Sequence, residues 1–240
     1  MDYLDMLTKL GVGNAHPGGY AETLKQLEKH PLPIGSRVLE VGCGTGRTAC
    51  LLVEKGCIVT ALDIRPEMVA KARLRAERLH AQLQVIEGDA CNLPFAEHEF
   101  DVVMVESVSN FADTRKALSE YRRVLKPGGV LYDREVIKWK KMPKDVYSSI
   151  CRFYGITSLL TVEEWQERLE SAGFSRAHHD DKRPFPPNMW EDMVNHPDPI
   201  KLADEQTLLD PQIWQLSIEY DQLMESYLDY LGYAVLIGIR

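Results

Sequence analysis

Three short stretches of this 240-residue chain carry side chains and glycines able to hold a nucleoside. The first is Glu40-Val-Gly-Cys-Gly-Thr-Gly46, with glycine at every second position from Gly42. Glycine takes positive φ without a Cβ clash and lets a ligand pass close to the backbone. A helix beginning directly after such a run offers unpaired N–H groups and the positive end of its dipole, suited to a carboxylate or a phosphate. The spacing is G-x-G-x-G, and Arg47 stands where the dinucleotide pattern wants its last glycine. The second stretch centres on Asp63, 21 residues after Gly42. A carboxylate there accepts hydrogen bonds from both ribose hydroxyls. It also lies just before Pro66, where it could serve as an acid at a helix N-terminus. The third is Gly88-Asp89-Ala90. Asp89 can accept from an exocyclic amine while the Ala90 amide donates to a ring nitrogen, a pairing that selects adenine; taken alone, the tripeptide reads as a turn.

The elements that must position these residues follow from periodicity and punctuation. Residues 38–41 form a short strand, and residues 48–55 a helix stopped by Gly56. A strand at 58–62 leads to a helix at 66–80 with proline in its first turn. Strands follow at 83–87, closed by Gly88, and at 100–105, nearly all apolar as a strand covered on both faces should be. A helix at 114–125 ends at Lys126-Pro-Gly-Gly, and residues 130–132 open a fifth strand. Such alternation implies a parallel sheet with helices on both faces. All three candidate stretches fall at carboxyl ends of successive strands, where open α/β sheets bind ligands.

Outside this stretch, residues 1–30 read as two short helices around a loop rich in glycine. Residues 162–172 form an amphipathic helix, 174–181 a strand, 210–231 a mainly helical stretch, and 232–239 a last strand. The expected organisation is an N-terminal helical lid segment (1–33), a core (34–183), a helical insertion (184–231) and a final core strand (232–240).

VLEVGCGTGR, ALDIRPEMV, EGDACNLPF, FDVVMVE and RVLKPGGVL occur in this order along the chain. Together they resemble the motifs of class I S-adenosylmethionine-dependent methyltransferases, especially the small-molecule, methyltransferase type 11-like group. The resemblance spans residues 34–132, and the closing GYAVLIGI fits that family's antiparallel last strand. It implies an α/β, Rossmann-like sheet of seven mostly parallel strands, with S-adenosyl-L-methionine as cofactor and S-adenosyl-L-homocysteine as product. Gly42, Cys43, Gly44 and Gly46 would then bind the methionine portion, and Glu40 would support the loop and the ammonium. Asp63 would hold the ribose, Ile64 would pack on adenine, and Asp89 and Ala90 would read its edge. Glu106 would border the methionine end and face the acceptor. A sulfonium is already a reactive electrophile, so positioning supplies much of the acceleration. A base is needed only where the acceptor must lose a proton.

Two catalytic candidates stand on the acceptor side. His16, in Asn14-Ala-His-Pro-Gly-Gly-Tyr20, is a base or substrate contact, or else a locally bonded histidine of a surface loop. Glu106 could orient an amine or accept a proton, or serve only as a cofactor neighbour. The Asn/Asp-Pro-Pro-aromatic motif common among amine and DNA-base methylators is missing after the fourth strand, which speaks against base methylation.

Other clusters read more simply. Lys138-Trp-Lys-Lys141 with Lys144 suits a solvated face better than an acidic substrate or RNA. His178-His179 beside Asp180-Asp181 resembles a metal cluster, yet neighbours on a strand point to opposite faces, so no metal is expected. Trp190, Trp214, Tyr220, Tyr227 and Tyr230 of the insertion pack a core, wall an apolar acceptor pocket or meet a second copy.

A net charge of −8 counts against nucleic acid. No stretch approaches the roughly 18 apolar residues of a membrane span. The five cysteines form no C-x-x-C pair and suit free thiols in a reducing cytosol. The sequence therefore points to a cytoplasmic, small-molecule enzyme, monomeric or homodimeric. Its rivals are a non-catalytic cofactor-binding protein of the same fold and a nicotinamide oxidoreductase, and Arg47 and Asp89 count against the latter.

Overall fold

Apolar runs stopped by glycine become strands, and the computed structural model places them in one sheet. It describes residues 1–186 and 190–240, and of Trp190 and Glu191 the backbone alone. The strands are β1 (Arg37–Val41), β2 (Ile58–Asp63), β3 (Gln84–Glu87), β4 (Phe100–Glu106), β5 (Leu125–Lys138), β6 (Arg176–Pro184) and β7 (Leu231–Ile239). Among the described residues they run in the order β3-β2-β1-β4-β5-β7-β6. The pairs from β3 through β5 are parallel, and β7 is antiparallel to both β5 and β6. Chain order reverses between β1 and β4, so a crevice opens beyond their carboxyl ends, at Val41 and Glu106.

Helices cover both faces. On one side α3 (Arg47–Glu54) and α4 (Pro66–Arg78) bury Ala49, Leu52 and Ala72 against Val38, Val59 and Met104. On the other, α5 (Thr114–Val124) and α7 (Val162–Ser171) bury Tyr121 and Trp165 against Leu39, Val103 and Leu131. Val38 and Leu39 thus enter opposite cores, as alternation along a strand demands. Each fully buried aliphatic side chain contributes about 1.5–3 kcal/mol of transfer free energy. Asp113 caps α5 by accepting from the Arg115 and Lys116 amides.

Of the remaining helices, α2 (Gly19–Lys29) buries Leu27 on the α3 side of the sheet, with α8 (Trp190–Asn195) against it. The others, α1 (Tyr3–Leu10), α6 (Lys144–Tyr154) and α9 (Pro211–Tyr227), stand over the crevice. Helix α6 is absent from the sequence expectation. It buries Val146 and Ile150, one helical turn apart, after the basic cluster. Helices α1, α6 and α9 pack on one another. The Tyr3 ring lies 5.7, 4.8 and 6.1 Å from those of Phe153, Tyr154 and Tyr220. Together they roof the crevice. The Trp190 side chain lies outside the described residues.

The stretch after α8 is tied back onto the core. The Asp192 carboxylate accepts from the Tyr20 and Ala21 amides at the start of α2, at 2.8 and 2.9 Å. A Cβ on Gly19, at φ +60°, would come within 2.0 Å of that carboxylate, so this contact requires glycine. Asp198 pairs with Arg75 of α4, which also donates to the Thr45 carbonyl at 2.8 Å. Among the described residues no helix is long and apolar enough to cross a membrane.

Candidate active site

The glycine run forms a loop pinned to the end of β2. The Gly42 and Cys43 amides both donate to the Leu62 carbonyl, at 2.7 and 2.9 Å. Asp63 Oδ2 accepts the Gly44 amide at 2.8 Å, and its Oδ1 accepts the Arg65 amide at 2.9 Å. Asp63 is therefore not the cap of α4, whose N-cap is Arg65 without a side-chain bond. It ties the loop to the β2–α4 turn, and its remaining lone pairs can still accept from hydroxyls. Burial raises its carboxyl above the ordinary value, against the lowering effect of these amides.

The three glycines, all at positive φ, serve different ends. A Cβ on Gly42 would fall 2.1 Å from Val108 Cγ2. One on Gly46 would press on Ala72 of α4 at 3.0 Å. One on Gly44 would meet nothing within 4 Å, because Gly44 faces open space.

That space is a cavity of about 450 Å³. It is lined by Glu40, Gly42, Cys43, Gly44, Asp63, Ile64, Asp89, Ala90, Glu106 and His16. Of the expected cofactor residues, Gly46 does not line it, since its place is the α3–α4 contact. Ile64 stands 62% exposed at the rim. Asp89 is exposed nearby, with Oδ1 accepting the Cys91 amide at 2.8 Å. Cys43 is buried, and burial keeps its thiol well above the usual range, so it packs rather than reacts.

Glu40 supplies the strongest test of fit. It is 5% exposed, and its Oε2 has no hydrogen-bond partner. Burial, reinforced by the Glu106 and Asp63 charges, lifts its carboxyl well above the usual range. A buried acid without a donor is costly, and an ammonium group beside it would satisfy it.

His16 is 4% exposed, so it is not a surface-loop residue. It meets Glu106 beneath α2. The Thr23 hydroxyl donates to Glu106 Oε1 at 2.7 Å and lies 3.1 Å from His16 Nε2. The Thr48 hydroxyl donates to Glu106 Oε2 at 2.9 Å. His16 Nε2 and Arg134 Nε lie 3.5 and 3.8 Å from Glu106 Oε1. Burial works to raise Glu106, but the positive groups and the two hydroxyls outweigh it and hold the carboxyl below its ordinary value. Burial pushes His16 down, only partly opposed by Glu106.

Thr23, Thr48 and Arg134 were not anticipated. The signal for Arg134 was present, because Asp133-Arg-Glu135 is a charged run inside an apolar strand. Arg134 is 1% exposed, and its Nε and Nη1 have no hydrogen-bond partner.

Beyond Glu106 the cavity wall turns apolar, with Leu4 and Leu7 of α1, Phe111, Tyr154, Phe185 and Tyr220. Of the expected insertion aromatics, Tyr220 lines this chamber, Tyr227 and Tyr230 pack against the core that borders it around Val146, Leu223 and Leu231, and Trp214 is 55% exposed. Lys138 and Lys140 of the basic cluster pair with Glu164 and Asp229. Asp180 pairs with Lys29 and His30, which hold it down at about 2 against the effect of burial. Among the described residues no group of three His, Cys, Asp or Glu is arranged to hold a metal ion.

A family model for the methyltransferase domain matches residues 39–133. Over 238 residues the chain is 33% identical to the uncharacterized methyltransferase YodH of Bacillus subtilis, covering 99% of each protein. It is 39% identical over 131 residues to the demethylmenaquinone methyltransferase of Thermus thermophilus, covering 53% of this chain and 56% of that one. It is similar in fold to phosphoethanolamine N-methyltransferase 2 of Haemonchus contortus, solved with S-adenosyl-L-methionine, at a TM-score of 0.78. That likeness, at 20% identity, covers 99% of this chain and 57% of the other. Fold likeness alone leaves the chemistry open, and the full-length relative narrows it: the chain belongs to the class I S-adenosylmethionine-dependent methyltransferases.

Proposed function

We propose that the methyl group is transferred to a small, largely apolar acceptor seated beneath the α1–α6–α9 roof, with His16 and Glu106 where donor and acceptor meet. The observation that carries this proposal is one cavity, lined at one end by the glycine loop and at the other by the roof aromatics. When bound, S-adenosylmethionine supplies a methyl group on a sulfonium, an electrophile that needs alignment more than activation. Glu40 would hold its ammonium and Asp63 its ribose. Asp89 and the Ala90 amide would read adenine, with Ile64 against the ring. Gly42, Cys43 and Gly44 would line the methionine portion, with Gly46 holding the loop against α4.

Kept neutral by burial, His16 can take a proton from an acceptor hydroxyl or amine, and ionised Glu106 would stabilise the imidazolium. Residues 1–33 would then serve as a lid and residues 184–231 as part of the roof, over a core of 34–183 and 232–240. Five unpaired cysteines and a net charge of −8 suit a cytosolic enzyme without nucleic acid partners, working as a monomer or homodimer.

Transfer of tritiated methyl from S-adenosylmethionine to a panel of hydroxylated and aminated apolar compounds tests the proposal. Quinols come first, given the relative named for demethylmenaquinone. With an accepted substrate, His16→Ala should lose about 100-fold or more in turnover. Its affinity for S-adenosylhomocysteine should stay within about twofold, since His16 takes no part in the proposed cofactor contacts. The wild-type acid limb should lie below the ordinary histidine value of 6.5. Unchanged turnover in His16→Ala with every accepted substrate would remove His16 from the chemistry.

A further inference from the structure

Behind the loop that follows β4, two carboxyl groups are buried without a cation. Asp133 and Glu135 stand two residues apart on β5, hence on one face of the sheet, and both are fully inaccessible. Glu135 Oε1 accepts the Val108 and Ser109 amides at 2.8 and 2.7 Å. Asp133 Oδ2 accepts the Ser109 hydroxyl at 2.7 Å. The other two oxygens, Asp133 Oδ1 and Glu135 Oε2, have no hydrogen-bond donor. Two neighbouring buried carboxyl groups can satisfy each other only if one keeps a proton.

The surrounding side chains offer no cation to balance the charge, and Glu135 borders the cavity itself. From α5 comes Tyr121, whose hydroxyl lies 3.4 Å from Ser109 Oγ, and beside it Cys91 from the stretch after β3. Across the ladder, β7 presents Leu236 and Ala234, and β4 presents Val105 opposite Asp133. Arg134, between the two acids in sequence, turns to the other face and meets Glu106. Among the described residues no Lys, Arg or His acts on either carboxyl.

We propose that Asp133 and Glu135 act as one proton-sharing unit that positions the acceptor-side loop, residues 107–111, and through it the glycine loop. The link is Val108. Glu135 holds its amide, and its Cγ2 occupies the space a Cβ on Gly42 would need. Asn110 and Phe111, further along the same loop, line the chamber. Ser107 begins the loop at φ +59°, a conformation that non-glycine residues keep only where neighbours enforce it. Burial keeps the proton in place through neutral pH, with Asp133 lifted to about 7 and Glu135 well above its ordinary value. When the last proton passes to solvent at alkaline pH, two like charges face each other, and their repulsion loosens the hold on Val108 and Ser109.

The inference rests on the cavity being the cofactor and acceptor site, and two measurements keep the ideas apart. Infrared spectroscopy of the full chain at neutral pH should show the C=O stretch of a buried protonated carboxyl. Glu40 and Asp63, also lifted by burial, contribute alike to every spectrum, so a protonated-carboxyl band should appear in each difference between wild type and Asp133→Asn or Glu135→Gln. Calorimetry should show wild-type affinity for S-adenosylhomocysteine falling at alkaline pH by about tenfold or more, the scale of losing an acceptor shared by two amides. Glu135→Gln keeps an oxygen for both amides and adds a permanent donor toward Asp133, so its affinity should fall less than that of the wild type over the alkaline range, where the ligand's own amine loses its proton in both. Glu135→Ala should already be weakened at neutral pH. Difference spectra without that band, or an alkaline fall equal in wild type and Glu135→Gln, would overturn the proposal. Failure of the wild type to bind S-adenosylhomocysteine would instead overturn the cavity assignment, and the infrared band, which needs no ligand, would then decide the pair.

Discussion

In the proposed cofactor site, Glu40 is the residue at which binding and protonation are most tightly linked. Its unpartnered oxygen and its two acidic neighbours favour the neutral form in the free protein. An ammonium favours the ionised form. Binding should therefore release a proton from Glu40, and affinity should rise with pH wherever the free protein still carries that proton. Glu40→Gln cannot ionise and should lose about 1.5–3 kcal/mol of affinity, the scale of a hydrogen bond to a charged group. Titrations in buffers of different ionisation enthalpy count the released protons. The wild type should release more than Glu40→Gln, and equal counts would show that the ammonium lies elsewhere. The position of Glu40 is legible in the sequence, because VLEVGCGTG sets it at a strand end before a glycine loop. That its Oε2 lacks a donor is not, since this depends on side chains from other elements, such as Thr48, which donates to Glu106. The burial of His16 is equally hidden. A stretch of Pro17, Gly18 and Gly19 reads as surface loop until α2 and β4 close around it.

At the scale of elements, the alternation from β1 to β5 is readable because each helix and strand carries its own periodicity and its own glycine stop. Two features resist. Lys126-Pro-Gly-Gly reads as a turn, yet β5 runs through it as Leu125–Lys138, because Leu125 pairs with Phe100 of β4 and the Gly128 and Gly129 backbone exchanges hydrogen bonds with Arg240. Helix α6 sits among lysines, and its apolar residues make sense only once α1 and α9 lie against them. The same dependence on partners governs the stretch after α8. Arg75, with a side chain 2% exposed, donates to the Thr45 carbonyl and is balanced by Asp198. Asp198→Ala leaves that guanidinium buried and unpaired, which should destabilise the fold by about 3 kcal/mol. Because Thr45 belongs to the glycine loop, affinity for S-adenosylhomocysteine should fall as well. Urea unfolding and calorimetry check both outcomes. A loss under about 1 kcal/mol would place the pair among ordinary surface ion pairs.

For the whole molecule, the proposed donor half is legible because its residues lie in successive strand-end motifs between Glu40 and Glu106. The acceptor half is not, because Leu4, Phe111, Tyr154, Phe185 and Tyr220 meet only through tertiary packing. Building both halves around a crevice leaves several acids buried, and their linkage shapes stability. Glu40, Asp63, Asp133 and Glu135 all hold their protons more tightly folded than unfolded. The stability such groups contribute is fully present below the unfolded value and is lost as pH rises through the folded one. For Asp133 that interval runs from the ordinary 3.8 to about 7. Asp180, held at about 2, works in the opposite sense: its contribution is present above 3.8 and is lost only as the pH falls toward about 2. These four acids therefore cost stability between mildly acidic and neutral pH, while buried His16, lowered from 6.5, works the other way. Asp133→Asn, which cannot titrate, should show a shallower decline over that interval. Urea unfolding at a series of pH values, with constant m, measures it. Parallel curves for wild type and variant would mean that Asp133 titrates alike in both states, and that its burial carries no proton into the fold.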